Sequence, residues 1–129
     1  MPERGGTKRD RQTAAGKPDA EGARGEALTA GYLEQQGYTV QERNYRCRSG
    51  EIDLIVRQGS ALAFVEVKTR TSTARGEPRE YVTAAKQRRL RSAAMHYLML
   101  HPEAENLRLR FDVAEVIGET VRYTENAFE

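Results

Sequence analysis

The sequence predicts a single α/β domain, a mixed β-sheet flanked by helices in the order αβββαβ. A length of 129 residues suits one hydrophobic core and is too short for two. Apolar and polar residues alternate in three consecutive segments and again in "NLRLRFDVAEVI", which indicates strands. Two further segments repeat their apolar residues at helical spacing, so one helix precedes the first strand and one precedes the fourth.

Residues 1–22 lie outside this domain, which we expect to span residues 23–129. They contain no aromatic and no β-branched aliphatic residue, and Gly, Pro and mixed charges dominate. Such a segment buries too little apolar surface to offset the entropy of ordering, so the sequence predicts a disordered tail. Its Lys and Arg residues could touch nucleic acid, but a passive tail is the simpler interpretation.

The first helix is expected from Ala23 to Gln36, with Gly37 as its C-terminal stop. Glu26 precedes Ala30 by four residues and Leu33 by seven, so it shares the helix face that these residues bury. A carboxylate on an inward face needs a partner. The alternative is a first-turn Glu that the helix dipole stabilises.

The remaining elements follow from alternation, helical spacing and the Gly, Pro and polar segments between them. The second helix leads from the third strand to the fourth, and such a connection suits a crossover to a parallel neighbour. A short strand near residues 120–123 is expected to close the sheet. The expected ranges are strands at 38–46, 50–57 and 61–70, a polar loop at 71–80, a helix at 83–100 and a strand within 106–117.

Four charged residues fall on the second and third strands, which form a predicted hairpin. Glu51 and Asp53 share one face of the first of these strands, and Glu66 and Lys68 share one face of the next. A type II′ turn at Gly59-Ser60 places Asp53 opposite Glu66 and Glu51 opposite Lys68. A turn one residue earlier would make Asp53 and Glu66 diagonal neighbours, so both registers cluster the charges.

Two facing carboxylates repel each other unless something positive lies between them. Carboxylate oxygens suit Mg²⁺ or Mn²⁺, so Asp53 and Glu66 are candidate metal ligands, and the carbonyl of Val67 is a further one. Lys68 would lie beside the metal, where it could activate water and offset charge on the phosphate. The alternative is a salt-bridged, solvated surface of Glu66–Lys68 and Glu51–Arg pairs.

The net charge is only +2, yet residues 68–91 alone hold eight Lys or Arg against two Glu. Helical spacing puts Lys86 and Arg89 at the rim of the buried stripe of the second helix. With Arg70, they are candidates for contacts to nucleic-acid phosphates. A solvated basic helix face is the alternative reading.

Several other classes of protein are disfavoured. Cys47 is the only cysteine, which excludes an internal disulfide and a Cys-based zinc site. No apolar stretch approaches the roughly 20 residues that span a bilayer, and the N-terminus lacks the apolar core of a signal peptide. The expected location is therefore the cytoplasm, with no membrane partner.

Asp53 followed by "EVK" (residues 66–68) resembles the PD-(D/E)xK motif of the restriction-endonuclease-like superfamily. Over residues 22–128 the chain is similar to the bacterial YraN-like family of predicted endonucleases. The motifs that support this similarity are "GEALTAGYLEQQGY", "RNYRCRSGEIDLIV", "FVEVKTR", "RFDVAEV" and the terminal "NAF".

The resemblance implies a restriction-endonuclease-like αβββαβ core with metal-binding positions at Asp53 and Glu66 and a catalytic lysine at Lys68. Glu26 falls on the helix-one glutamate of archaeal Holliday-junction resolvases in the same superfamily. Ile52 stands where the motif has proline, a position that members of the superfamily often lose. Resolvases act as dimers, so a homodimer is a candidate assembly, although the sequence shows no interface pattern.

The leading hypothesis is a Mg²⁺- or Mn²⁺-dependent endonuclease that hydrolyses DNA phosphodiester bonds, with structured or branched DNA among the candidate substrates. The alternative is a nucleic-acid-binding module whose nuclease site is idle or depends on a partner. A purely structural protein is the third hypothesis, and for it the complete Asp…Glu-x-Lys set would be a coincidence. Sequence specificity is not readable, because phosphate contacts carry no sequence information.

Overall fold

The computed structural model describes residues 20–70 and 82–128. It confirms the predicted αβββαβ order and also the fifth strand that was expected to close the sheet. In chain order the elements are helix α1 (Ala20–Gln35), strands β1 (Thr39–Cys47), β2 (Gly50–Gln58) and β3 (Ala61–Arg70), helix α2 (Ala84–Leu100), a 3₁₀ helix (Pro102–Ala104), and strands β4 (Arg108–Ile117) and β5 (Thr120–Phe128).

The five strands form one mixed sheet in the order β1-β2-β3-β4-β5. All neighbouring pairs are antiparallel except β3 and β4, which run parallel from Ala61↔Arg108 to Arg70↔Ile117. A parallel pair needs a crossover connection, and α2 provides it. The predicted crossover through the second helix is therefore confirmed.

One helix covers each face of the sheet. The middle of β2 is buried on both faces, since Leu54, Ile55 and Val56 are all fully inaccessible. The cluster that includes α1 contains Ala30, Leu33, Tyr38, Leu54, Val56, Ala63, Val65 and Ala114. The cluster that includes α2 contains Ile52, Ile55, Leu62, Phe64, Val82, Leu90, Ala93, Ala94, Tyr97, Ala104, Val113 and Phe128.

The helix ends follow local rules that the sequence displays. Gly37 has a φ of 96°, and its N–H donates to the carbonyl of Glu34, which satisfies a free carbonyl in the last turn of α1. Thr83 caps α2, since its side-chain oxygen accepts a hydrogen bond from the N–H of Lys86 at 3.2 Å. The predicted stops at Gly37 and at His101-Pro102 thus agree with the structure.

Two boundaries differ from the expectation. Helix α1 begins at Ala20, so the last three residues of the predicted tail are helical, and residues 1–19 lie outside the described part of the chain. The predicted loop at residues 71–80 also lies outside it. Strand β5 runs to Phe128 and not only to Tyr123, because it pairs with β4 beyond a bulge between Phe111 and Val113.

A buried carboxylate holds the end of β5 to the sheet. Asp112 is inaccessible and accepts hydrogen bonds from the Asn126 N–H at 2.8 Å, the Tyr123 hydroxyl at 2.5 Å and the Arg110 guanidinium at 2.9 Å. Asn126 has a φ of 55°, which turns its N–H out of the regular ladder. The hydrogen bonds that the Asp112 carboxylate accepts thus replace the backbone hydrogen bonds that are missing at the bulge between β4 and β5.

Candidate functional site

The β2–β3 hairpin has the predicted register. Gln58 pairs with Ala61 across Gly59-Ser60, and Gly59 has a φ of 59°, as the first residue of such a turn requires. The pairing continues in register as far as Leu54↔Val65. The ladder ends there, so the predicted pairs Asp53–Glu66 and Glu51–Lys68 are not part of it.

Asp53 takes the place of a ladder acceptor at the point where β2 and β3 separate. Its Oδ2 atom accepts the Val67 N–H at 2.8 Å, a bond that a backbone carbonyl would otherwise receive. Ile52 packs in the cluster with α2, whereas Leu54 packs in the cluster with α1, so strict alternation breaks at Asp53. The break places the Asp53 carboxylate between the two strands and close to Glu66.

The electrostatics of Asp53 are those of a half-buried acid that is crowded by other carboxylates. Burial raises its pKa most, and the charge of Glu66 raises it further, to about 8 in total. The N–H of Val67 opposes this shift, while Glu26 and Glu51 add to it. Glu66 is itself only 7% exposed. Near neutral pH, Asp53 therefore holds a proton that a nearby cation could displace.

Glu26 lies where the helical spacing predicts, on the buried face of α1 with Ala30 and Leu33. Burial raises its pKa, and side-chain hydrogen bonds with Asn44 and Asp53 lower it. A hydrogen bond between two carboxyl groups requires a shared proton, which fits the raised pKa of Asp53. The structure thus brings Glu26, on helix α1, within hydrogen-bonding reach of Asp53, on strand β2.

Glu26, Asp53 and Glu66 together form an acidic cluster, and Lys86 enters it. Its Nζ atom lies 2.7 Å from Oε2 of Glu66. Burial alone would lower the pKa of Lys86, but the hydrogen bond and charge of Glu66, with Asp53 and Glu51, outweigh it and raise the pKa. The sequence placed Lys86 only at the rim. Its spacing four residues before the buried Leu90 was the signal that it points toward the sheet.

Lys68 and Arg70 continue along β3 beyond Glu66. Lys68 is exposed and stands beside Glu115 of β4 in the parallel register. Arg70 forms an ion pair with the buried Glu115 at 3.4 Å, and Arg122 pairs with the same carboxylate at 2.9 Å. Arg70 is therefore at the end of the strand and outside the acidic cluster, whereas Lys68 is exposed to solvent two residues after Glu66.

The alternative hypothesis, a salt-bridged and solvated surface, is correct for one of the four charged residues of the hairpin, Glu51. Glu51 is exposed and forms an ion pair with Arg46 at 3.0 Å. The expected Glu66–Lys68 pair is replaced by Glu66–Lys86. Arg89 does not join the cluster and instead lines a cavity at the β1–β2 turn, together with Glu51.

The donor set fits a hard divalent cation that shares its coordination with water or substrate. Within residues 20–70 and 82–128, no three acidic, His or Cys side chains converge as a complete metal-binding group. Magnesium usually takes one or two protein carboxylates and completes its shell with waters and phosphate oxygens. Asp53 and Glu66 meet that requirement, with Glu26 hydrogen-bonded behind Asp53.

A family model described as "Uncharacterised protein family UPF0102" matches residues 25–116. The chain belongs to the UPF0102 family. The matched range contains every residue of the acidic cluster. A UPF0102 protein of Lachnoclostridium phytofermentans is 45% identical over 109 residues, which cover 84% of this chain and 92% of that relative. One of Saccharophagus degradans is 43% identical over 112 residues, covering 87% and 95%.

Within the described residues, no helix is both long and apolar enough to cross a lipid bilayer.

Proposed function

We propose that the protein is a metal-dependent endonuclease of the PD-(D/E)xK superfamily, in its YraN-like branch, that hydrolyses DNA phosphodiester bonds. One observation carries the proposal: the half-buried Asp53 carboxyl lies close to the buried Glu66, and its pKa is raised to about 8. Two carboxylates brought this close destabilise a fold, and Lys86 pairs with only one of them, so the arrangement favours the binding of a further cation. Perturbed acids of this kind concentrate at functional sites.

Each residue of the site has a chemical role in this proposal. Asp53 and Glu66 would hold Mg²⁺ or Mn²⁺, and Glu26 would release or accept the proton that it shares with Asp53. The metal, when bound, supplies Lewis-acid polarisation of a phosphate oxygen and a lowered pKa for water. Lys68, exposed next to Glu66 along β3, orients the attacking water and offsets charge on the phosphate.

The substrate is proposed to be DNA, which basic side chains beside the acidic cluster would bind by its phosphates. Structured or branched DNA and a homodimer are extensions that the resemblance to resolvases suggests. The cytoplasm is the proposed location, and a chain with a single cysteine fits its reducing conditions.

A second candidate function is a nucleic-acid-binding module with an idle or partner-dependent nuclease site. The ion pair between Lys86 and Glu66 favours it, because the Lys86 ammonium already neutralises one of the two carboxylates. In this case the chain's own cation replaces the metal, and a partner would have to withdraw Lys86 before cleavage.

The proposal is tested with labelled linear, flapped and four-way DNA, incubated with the protein in Mn²⁺, in Mg²⁺ or in a chelator. We expect cleavage of at least one substrate in metal and none in chelator, and no cleavage by Asp53→Asn. DNA binding without cleavage by the wild type would favour the idle site, and cleavage that persists in chelator would contradict the proposed mechanism.

A further inference from the structure

A shallow pocket, largely open to solvent, lies at the β1–β2 turn and includes Glu51, whose charge acts on the acidic cluster. Its volume is about 320 Å³, enough for a small group such as a phosphate and not for an enclosed ligand. It is lined by Arg46, Cys47, Arg48, Ser49, Gly50, Glu51 and Arg89. All but Arg89 are consecutive residues around the turn, and Arg89 comes from α2.

The pocket carries a positive charge. Three guanidinium groups face one carboxylate, so the lining has an excess of two positive charges. Arg46 is neutralised by Glu51 at 3.0 Å. Arg48 and Arg89 are exposed, and neither has an ion pair or side-chain hydrogen bond within the described ranges. Their guanidinium groups are therefore available to a ligand.

The turn is seated tightly on α2. A β-carbon at Gly50 would lie 2.5 Å from the carbonyl oxygen of Arg89, so only glycine allows this approach. The Ser49 hydroxyl lies 3.4 Å from the Cys47 sulfur. Backbone packing at Gly50 thus fixes the distance between the turn that bears Arg48 and the helix that bears Arg89. Because the two backbones are already held in place, binding one ligand with both arginines costs less conformational entropy than it would on flexible segments.

Glu51 connects the pocket to the acidic cluster. It lines the pocket, and its charge also acts on both Asp53 and Glu26. A ligand bound in the pocket therefore lies beside Glu51, whose charge repels any anion that is not held by the arginines.

We propose that this pocket binds the terminal phosphate monoester of a nucleic-acid strand. A phosphate monoester carries a charge of about −1.5 to −2 at neutral pH, which matches the excess of two positive charges, whereas an internal diester carries only one. The planar forks of Arg48 and Arg89 suit bidentate contacts to its oxygens. The inference rests on the proposed function, because it takes the ligand to be a strand end of the substrate or of the cleaved product.

The test is an NMR titration of the metal-free, full-length protein, followed through the amide signals of Ser49 and Gly50. The ligands are thymidine 5′-monophosphate, thymidine 3′-monophosphate, thymidine and the dinucleoside monophosphate TpT, which has only a diester. We expect at least one monophosphate to bind about tenfold more tightly than TpT, and thymidine to cause no shift. The position of the preferred phosphate tells which strand end is bound.

Two variants make the assignment specific. Arg48→Ala combined with Arg89→Ala should abolish the shifts, whereas Arg88→Ala, which removes a neighbouring exposed charge outside the pocket, should leave them. Equal or tighter binding of TpT, shifts with thymidine alone, or shifts that survive the double substitution would each overturn the inference. The titration needs no metal and no cleavage, so its failure and the failure of the nuclease proposal are separate results.

Discussion

The ammonium of Lys86 lies 2.7 Å from the Glu66 carboxylate, and this ion pair places a cation of the chain inside the acidic cluster. Lys86 is close enough to Asp53 and Glu51 for their charges to raise its pKa as well. Lys86 therefore offsets the repulsion between the carboxylates, and the proposed divalent cation would have to compete with it for Glu66.

Replacing Lys86 with Met tests this competition, since Met keeps the length of the side chain and removes the charge. We expect the metal-free variant to lose about 1 kcal/mol of stability, a small value because the Lys86 side chain is partly exposed and solvent screens the pair. We expect Mn²⁺ to bind more tightly, by up to about tenfold. Thermal melts in chelator and in a Mn²⁺ series measure both effects, with Arg88→Met as the control. Unchanged or weaker Mn²⁺ binding would rule out the competition.

The stability of the metal-free protein should depend on the protonation of Asp53. Burial and Glu66 raise its pKa from its usual 3.8 to about 8, so the folded protein keeps a proton that the unfolded chain releases. Stability should therefore fall as pH rises through that window and level off above about pH 8, with a slope of at most about 1.4 kcal/mol per pH unit.

Urea unfolding of wild type and Asp53→Asn in chelator, at several values from about pH 5 to about pH 8, measures this slope. Asn keeps an acceptor for the Val67 N–H and cannot ionise, so its slope should be shallower. Glu26, whose pKa is also raised by burial, leaves a residual slope of the same sign. Parallel curves for the two proteins would show that Asp53 is ionised throughout.

Alternation and turn chemistry were sufficient to predict the hairpin, because side-chain period and a two-residue turn together determine register. They did not predict the end of the β2–β3 ladder at Asp53. There the Asp53 side chain accepts the hydrogen bond of the Val67 N–H, and the alternation of side chains between the two faces of the sheet is interrupted. No local pattern displays that substitution. The candidate site residues Asp53 and Glu66 nevertheless came together, because the break moves Asp53 toward Glu66 and not away from it.

Long-range contacts account for what the sequence did not predict. The second half of β5 contains Glu125 and Asn126, which have low strand propensity, and it pairs with β4 through the distant Asp112. Lys86 was expected to bind a nucleic-acid phosphate, but in the structure it forms an ion pair with Glu66. This contact depends on how α2 lies across the sheet, which the sequence does not display. Spacing tells which face of a helix is buried, but not which polar group it meets.

Replacing Gly50 with Ala tests the contact between the β1–β2 turn and α2, and replacing Gly31 of α1 with Ala is the control. Gly50→Ala should cost about 1–3 kcal/mol, because the new methyl group would clash with the backbone carbonyl of Arg89. Gly31→Ala, in an exposed part of α1 with no atom within 4 Å of the added carbon, should stabilise the protein by up to about 1 kcal/mol. Urea unfolding compares the two. Equal effects would show that the turn does not rest on α2.

Asp112→Asn should destabilise the protein by about 3–5 kcal/mol, because it removes the buried charge that Arg110 pairs with and leaves fewer acceptors for Tyr123 and Asn126. Glu125→Gln, an exposed partner of Arg110 at 3.7 Å, should cost less than about 1 kcal/mol. Denaturant unfolding measures both. A small loss for Asp112→Asn would mean that β5 is held by its ladder alone.

The most direct test of the nuclease proposal separates cleavage from binding on one DNA substrate. Single-turnover cleavage in Mn²⁺ and DNA affinity in chelator are measured for wild type, Asp53→Asn and Lys68→Ala. We expect the wild type to cut, Asp53→Asn to be inactive, and Lys68→Ala to be slower by roughly 10²-fold with nearly unchanged affinity, since it loses one contributor to the transition state. A wild type that binds DNA yet cuts none of the linear, flapped or four-way substrates, at any protein concentration, would contradict the proposal and leave the idle site as the better account.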